Sequence, residues 1–169
     1  MNESSWAHLL LQALATWLAQ WMGWGEPPAD APPKHLQGWV TEVADGDTLT
    51  VQAGLQSHRI RLGGVDAPES EQAHGSRSRA ALALMCLGRP VEVDVEDRDR
   101  YQRLVGQVHC QGEWANAELV RQGHAWVYRQ HNRHPEFEAF EAQARAQRRG
   151  LWAQEQPTPP WVWRHENKR

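Results

Sequence analysis

The sequence predicts an α+β fold, a five-stranded β-barrel with about three helices, and three observations carry that expectation. Short runs that alternate apolar and polar residues recur from Gly38 onward, each bounded by Gly- or Asp-containing turn signals. Segments with apolar residues at helical spacing are inserted between and after those runs. Apart from a proline-rich linker there is no low-complexity tract, and no internal repeat of the kind that builds solenoids or propellers.

Residues 1–25 stand apart. The stretch SSWAHLLLQALATWLAQWMGWG, residues 4–25, contains no Asp, Glu, Lys or Arg, so an apolar N-terminal helix is expected. His8, Gln12, Thr16 and Gln20 recur every four residues and form one polar stripe along it, as in a helix lying at an interface or packed on a partner. A membrane anchor or a signal-like segment is expected, hence an exported or membrane-anchored protein with possible membrane association through residues 4–25. Met1-Asn2-Glu3 lacks the basic start of a signal peptide, which keeps a cytoplasmic helix as the alternative. EPPADAPPKHLQ, residues 26–37, reads as a stiff linker.

The main domain is expected over residues 38–152. WVTEVADG runs into an Asp45-Gly46 hairpin turn, and TLTVQA and HRIRLGGV follow as a three-stranded meander. GSRSRAALALMCLG has helical spacing and ends in glycine, which suits a C-cap. PVEVDVED and RLVGQVHC add two strands around the charged stretch DRDRYQ. WANAELVRQG reads as a short helix, and PEFEAFEAQARAQRRG as a surface helix with acids early and arginines late, the order the helix dipole favours. Residues 153–169 read as an irregular, Pro- and Trp-rich tail. Five strands with interposed helices suggest a barrel of the oligonucleotide/oligosaccharide-binding type.

Composition excludes little. The net charge of −3 gives no global signal for nucleic acid, whose binders are usually basic. Cys86 and Cys110 show no CxxC spacing. They read as two buried thiols, with a disulfide as the alternative in an exported chain.

Chemistry concentrates in VADGDT, RLGGVDAPE, DRYQR and NAELVRQGHAWVY. Asp47 begins the strand after the turn and Asp66 ends the third strand, so pairing of the meander brings the two carboxylates together. Like charges about 4 Å apart repel by roughly 4 kcal/mol at an effective dielectric near 20, so such a pair calls for separation, protonation or a bridging cation. Hard oxygen donors select Ca²⁺ or Mg²⁺. Arg61 and Arg103 flank this position, and fixed guanidinium groups stabilise the charge that builds on phosphate oxygens during hydrolysis. Glu69 supplies a carboxylate able to activate water.

In this order and spacing, the four stretches resemble the staphylococcal nuclease family over about Gly38 to Trp152, and RGLW…PPWVWR also looks like bacterial members. The resemblance implies a Ca²⁺-dependent nuclease on DNA and/or RNA that breaks the 5′ P–O bond and leaves 3′-phosphates. It also implies Asp47, Asp66 and the Ala67 carbonyl as metal ligands, and Arg61, Glu69 and Arg103 as catalytic residues. Tyr101 matches a tyrosine near the nucleotide site, and Tyr128 is a second candidate for substrate contact, with Arg129 or His131 as substitutes. Single-stranded or frayed DNA, or RNA, is the expected partner of a monomer. A non-catalytic nucleic-acid- or protein-binding module is the alternative, and the complete charged set speaks against it.

Overall fold

The computed structural model describes residues 32–167. The expected N-terminal helix at residues 4–25 lies outside the described residues. Among the described residues, no helix is long and apolar enough to cross a membrane.

Five strands form the barrel: β1 (His35–Val43), β2 (Thr48–Ala53), β3 (Gln56–Leu62), β5 (Pro90–Arg98) and β6 (Leu104–Cys110). They run in the order β3-β2-β1-β5-β6, and a parallel pairing of β3 with β6 closes the ring through Ile60↔Leu104, Arg61↔Val105 and Leu62↔Gly106. β1 begins at His35, inside the segment read as linker, because Leu36 is drawn into the core opposite Val93. Register shifts at Val40/Glu42 and Val95/Asp97 let the strands curl into a barrel of this size. The period-two pattern supplies the interior: Leu49, Val51, Ile60, Leu62, Val91, Val93 and Val108 are buried. Each such side chain contributes about 1.5–3 kcal/mol through removal from water.

Three two-residue strands complete the sheets: β4 (Val65–Asp66), β7 (Glu113–Trp114) and β8 (Trp126–Val127). Asp66 therefore does not end the third strand, as the sequence suggests. Gly63 and Gly64 interrupt the chain after Leu62, and Asp66 lies on β4, which pairs with β8.

Four α-helices are described, not about three: α1 (Gly75–Cys86), α2 (Ala115–Arg121), α3 (Glu136–Ala146) and α4 (Pro160–Glu166). The last falls where an irregular tail is expected. Pro160 opens it at a position where a missing N–H does no harm. Cys86, at the end of α1, and Cys110, at the end of β6, form a disulfide with their Cα atoms 5.2 Å apart. This corrects the reading of two separate thiols: helix end and strand end converge in the core, which spacing alone does not reveal.

Two buried polar residues hold the site end of the barrel. Asn116 on α2 donates from Nδ2 to the carbonyls of Gly63 (2.9 Å) and Gly106 (3.2 Å), and its Oδ1 accepts the Val108 N–H at 2.9 Å. Glu141 on α3 accepts the Val127 N–H at 3.0 Å and pairs with Arg129 at 2.9 Å and Arg145 at 3.3 Å. Thus α3 anchors β8, β8 pairs with β4, and β4 carries Asp66.

Candidate active site

A cavity of about 710 Å³ opens where β3, β4 and the β5–β6 loop meet. Each of the eight residues expected to carry chemistry lines it: Asp47, Arg61, Asp66, Ala67, Glu69, Tyr101, Arg103 and Tyr128.

Asp47 directly precedes β2, and its main-chain carbonyl accepts the Leu62 N–H at 2.8 Å, which fixes it beside the end of β3. Its Oδ2 accepts the Ala67 N–H at 2.9 Å and its Oδ1 accepts the Thr48 hydroxyl at 3.1 Å. The chain turns sharply between β3 and β4 to make this contact. Gly64 adopts φ +74°, and a Cβ on Gly63 would stand 2.7 Å from a Glu96 carboxylate oxygen. Those two glycines therefore deliver Asp66 and Ala67 to Asp47.

Arg61 lies between the two aspartates. Its Nη2 donates to Asp66 Oδ1 at 3.1 Å. Its Nη1 is 2.7 Å from Asp47 Oδ1 but off the line of a hydrogen bond, so that it is a buried donor without an acceptor. Burial opposes charge on this guanidinium, but Asp47 and Asp66 outweigh it and hold the pKa above its ordinary value. Asp66 is almost fully buried; burial first, then the charge of Asp47, push its carboxyl upward against the pull of Arg164 and Arg61.

Arg103 is set by Asp99. The Asp99 carboxylate accepts the N–H groups of Tyr101 and Arg103, both at 2.9 Å, and the Arg103 Nε–H at 2.7 Å. Despite some burial, these bonds keep the Asp99 carboxyl below its usual range. With Nε committed, the outer end of the Arg103 guanidinium is left near the cavity, its Nη1 3.5 Å from the Thr48 hydroxyl. Tyr101 is exposed beside it, with Arg100 and Arg103 lying 4.8 and 5.5 Å from its ring. Tyr128 reaches the cavity beside His131, whereas Arg129 points to Glu141 and plays no part there.

Two of the cavity residues without an assigned role in the sequence reading bear directly on the carboxylates. Asp45 accepts the Asp47 N–H at 3.0 Å, and burial together with the charge of Asp47 raises its carboxyl to about 6. Arg164 on α4 reaches both Asp66 and Glu69. The first Asp of the DGD turn is a legible signal. The arginine of PPWVWR is not, because nothing local ties it to residues some 95 positions earlier.

The donor set expected for a metal passes a chemical test. Asp47, Asp66 and the Ala67 carbonyl are all hard oxygens, which suit Ca²⁺, and the two carboxylates already draw guanidinium cations to themselves. Among the described residues, no three His, Cys, Asp or Glu side chains gather at one point. Two carboxylates and a carbonyl leave the rest of such a shell to water and ligand.

The family model described as "Staphylococcal nuclease homologue" matches residues 59–154. The chain belongs to the staphylococcal nuclease homologue family. It is 43% identical over 131 residues to a protein described as "Uncharacterized endonuclease" from Escherichia coli, covering 77% of this chain and 86% of that one. It is 44% identical over 144 residues to "Protein ParB" of Escherichia coli, covering 79% and 81%. A "Micrococcal nuclease" of Shigella flexneri is 37% identical over 144 residues, covering 79% and 83%. Within this staphylococcal nuclease homologue, the family match takes in Arg61, Asp66, Glu69 and Arg103 but stops short of α4.

Proposed function

We propose that the protein is a Ca²⁺-dependent nuclease that hydrolyses phosphodiester bonds of DNA and/or RNA, breaking the 5′ P–O bond and leaving 3′-phosphate ends. The observation that carries this reading is Arg61. Its guanidinium is held against Asp47 and Asp66 in the wall of the cavity that Glu69 and Arg103 also line, so that carboxylates and fixed cations converge where a phosphate would bind. The similarity to proteins described as endonuclease and micrococcal nuclease supports the same class of reaction.

Asp47, Asp66 and the Ala67 carbonyl would hold the calcium ion, which when bound supplies positive charge against the phosphate. Arg61 and Arg103 approach the non-bridging oxygens from fixed positions, so charge developing in the transition state meets donors that need no reorganisation. Glu69 takes a proton from water as the water oxygen bonds to phosphorus, and the 5′ oxygen departs with a proton from solvent. Exposed Tyr101, flanked by arginines, offers a face on which a base of a single strand can stack. The overall acidic charge does not oppose this, since local cations do the attracting. The Cys86–Cys110 disulfide supports export, because such bonds persist in oxidising compartments, where weak calcium sites are also filled.

Cleavage of single-stranded DNA with Ca²⁺, followed by end-group analysis, tests this reading. Products ending in 3′-phosphate are expected; 5′-phosphate ends would exclude the proposed bond polarity.

A further inference from the structure

Arg164 enters the cavity from α4, beyond the stretch that matches the family model. Its Nη2 donates to Asp66 Oδ2 at 2.7 Å, and its Nη1 donates to Asp66 Oδ1 at 3.1 Å and to Glu69 Oε1 at 2.7 Å. Both oxygens of Asp66 are therefore taken by guanidinium groups, Oδ1 being shared with Arg61. A divalent cation on Asp66 needs one of those oxygens and would sit within a few ångströms of two guanidinium charges. At that separation the repulsion is large, and one positive group must leave.

The contact is not that of a loose tail. Thr158 accepts a hydrogen bond from Gln72 Nε2 at 2.6 Å, just before α4. Trp161 stacks on Tyr128 at 6.2 Å and meets Trp126 edge-on at 5.6 Å. Packing thus docks α4, and Arg164 projects from a held helix between a buried aspartate and the candidate base. Arg61 cannot play the same part, because it approaches from β3 and reaches Asp47 rather than Glu69.

We propose that Arg164 is an internal competitor for the metal: it occupies the cation position between Asp66 and Glu69, and calcium binding displaces its bonds to Asp66. This rests on the reading of Asp47, Asp66 and Ala67 as the metal donor set. Because linked equilibria are reciprocal, the docked arginine weakens calcium binding by the same factor by which calcium loosens the arginine.

Calcium titration calorimetry on the full chain, without nucleic acid, tests the proposal with wild type, Arg164→Gln and Arg164→Lys. The Gln variant binds Ca²⁺ at least about tenfold more tightly, the scale of one lost charge-assisted bidentate pair. The Lys variant, which cannot bridge in the same way, falls between the two. Equal or weaker affinity in a folded Gln variant overturns the competitor. If Gln prevents folding, Lys decides in the same directions. Absence of calcium binding in all three proteins removes the donor set and the competitor together, whereas equal binding in all three removes the competitor alone.

Discussion

Reducing the Cys86–Cys110 bond changes no side-chain volume, so it isolates the effect of one cross-link. The two cysteines are 24 positions apart, and the bond closes a loop holding all of β5 and β6 up to its last residue. In the chain-entropy model, a loop of about 25 residues removes about 12 cal/mol/K from the unfolded ensemble, or about 3.5 kcal/mol at 25 °C. That is a large fraction of the roughly 5–15 kcal/mol that holds a typical domain together. The unfolding entropy of a domain of about 136 residues is about 0.29 kcal/mol/K, so the melting temperature should fall by about 12 °C. Because both sulfurs are buried, reduction must be done on unfolded chain and followed by refolding in reductant. Urea unfolding of the two forms, after thiol counting, gives the difference directly. Two free thiols in the non-reduced protein would refute the pairing. A loss below about 1 kcal/mol would refute loop entropy as the source of stabilisation.

Arg61→Ala and Arg103→Ala should each lower turnover by about 10² to 10³, as for deletion of one transition-state donor, while circular dichroism stays native; steady-state cleavage rates check this. Glu141→Ala should cost about 3 kcal/mol in urea unfolding, because Val127 loses its acceptor and two arginines their buried partner. Glu141→Gln, which can keep the Val127 bond, should cost about half as much. His74 and His124 are 3.0 Å apart; burial, with repulsion from its neighbours, lowers His74 to about 4, and burial lowers His124. The unfolded chain then binds more protons than the folded one below about pH 6.5, so stability is full above that value and falls as pH drops towards 4. Melting curves across this window should show that slope, and His74→Gln should flatten it.

Much of the barrel is legible in the chain because period-two alternation reports a half-buried strand residue by residue. The Asp45-Gly46 turn joins β1 to β2, and the tight turn after Ala53 folds β3 back so that Thr48 stands opposite Arg61. The parallel closure of β3 on β6 is not legible, since local pattern says nothing about partners more than 40 residues apart. Asp66 illustrates the same limit. Its pairing with Trp126 sets its position, and two glycines conceal the break between strands. Helix α4 escapes a periodicity reading because it spans only seven residues, two of them tryptophan, and follows prolines. Arg164 is hidden with it. Of the candidate site, Asp47, Arg61, Asp66, Glu69 and Arg103 are readable from charge and placement in their motifs, Ala67, Tyr101 and Tyr128 only through the family resemblance, and Arg164, at the far end of the chain, by neither.

The central claim is that these charges form a calcium-dependent phosphodiesterase site, and one assay tests it most directly. Purified protein is incubated with single-stranded DNA in Ca²⁺, in Mg²⁺ or in EGTA, and the product ends are identified. Cleavage in Ca²⁺ that stops in EGTA and leaves 3′-phosphates is the predicted result; cleavage undiminished in chelator would contradict it.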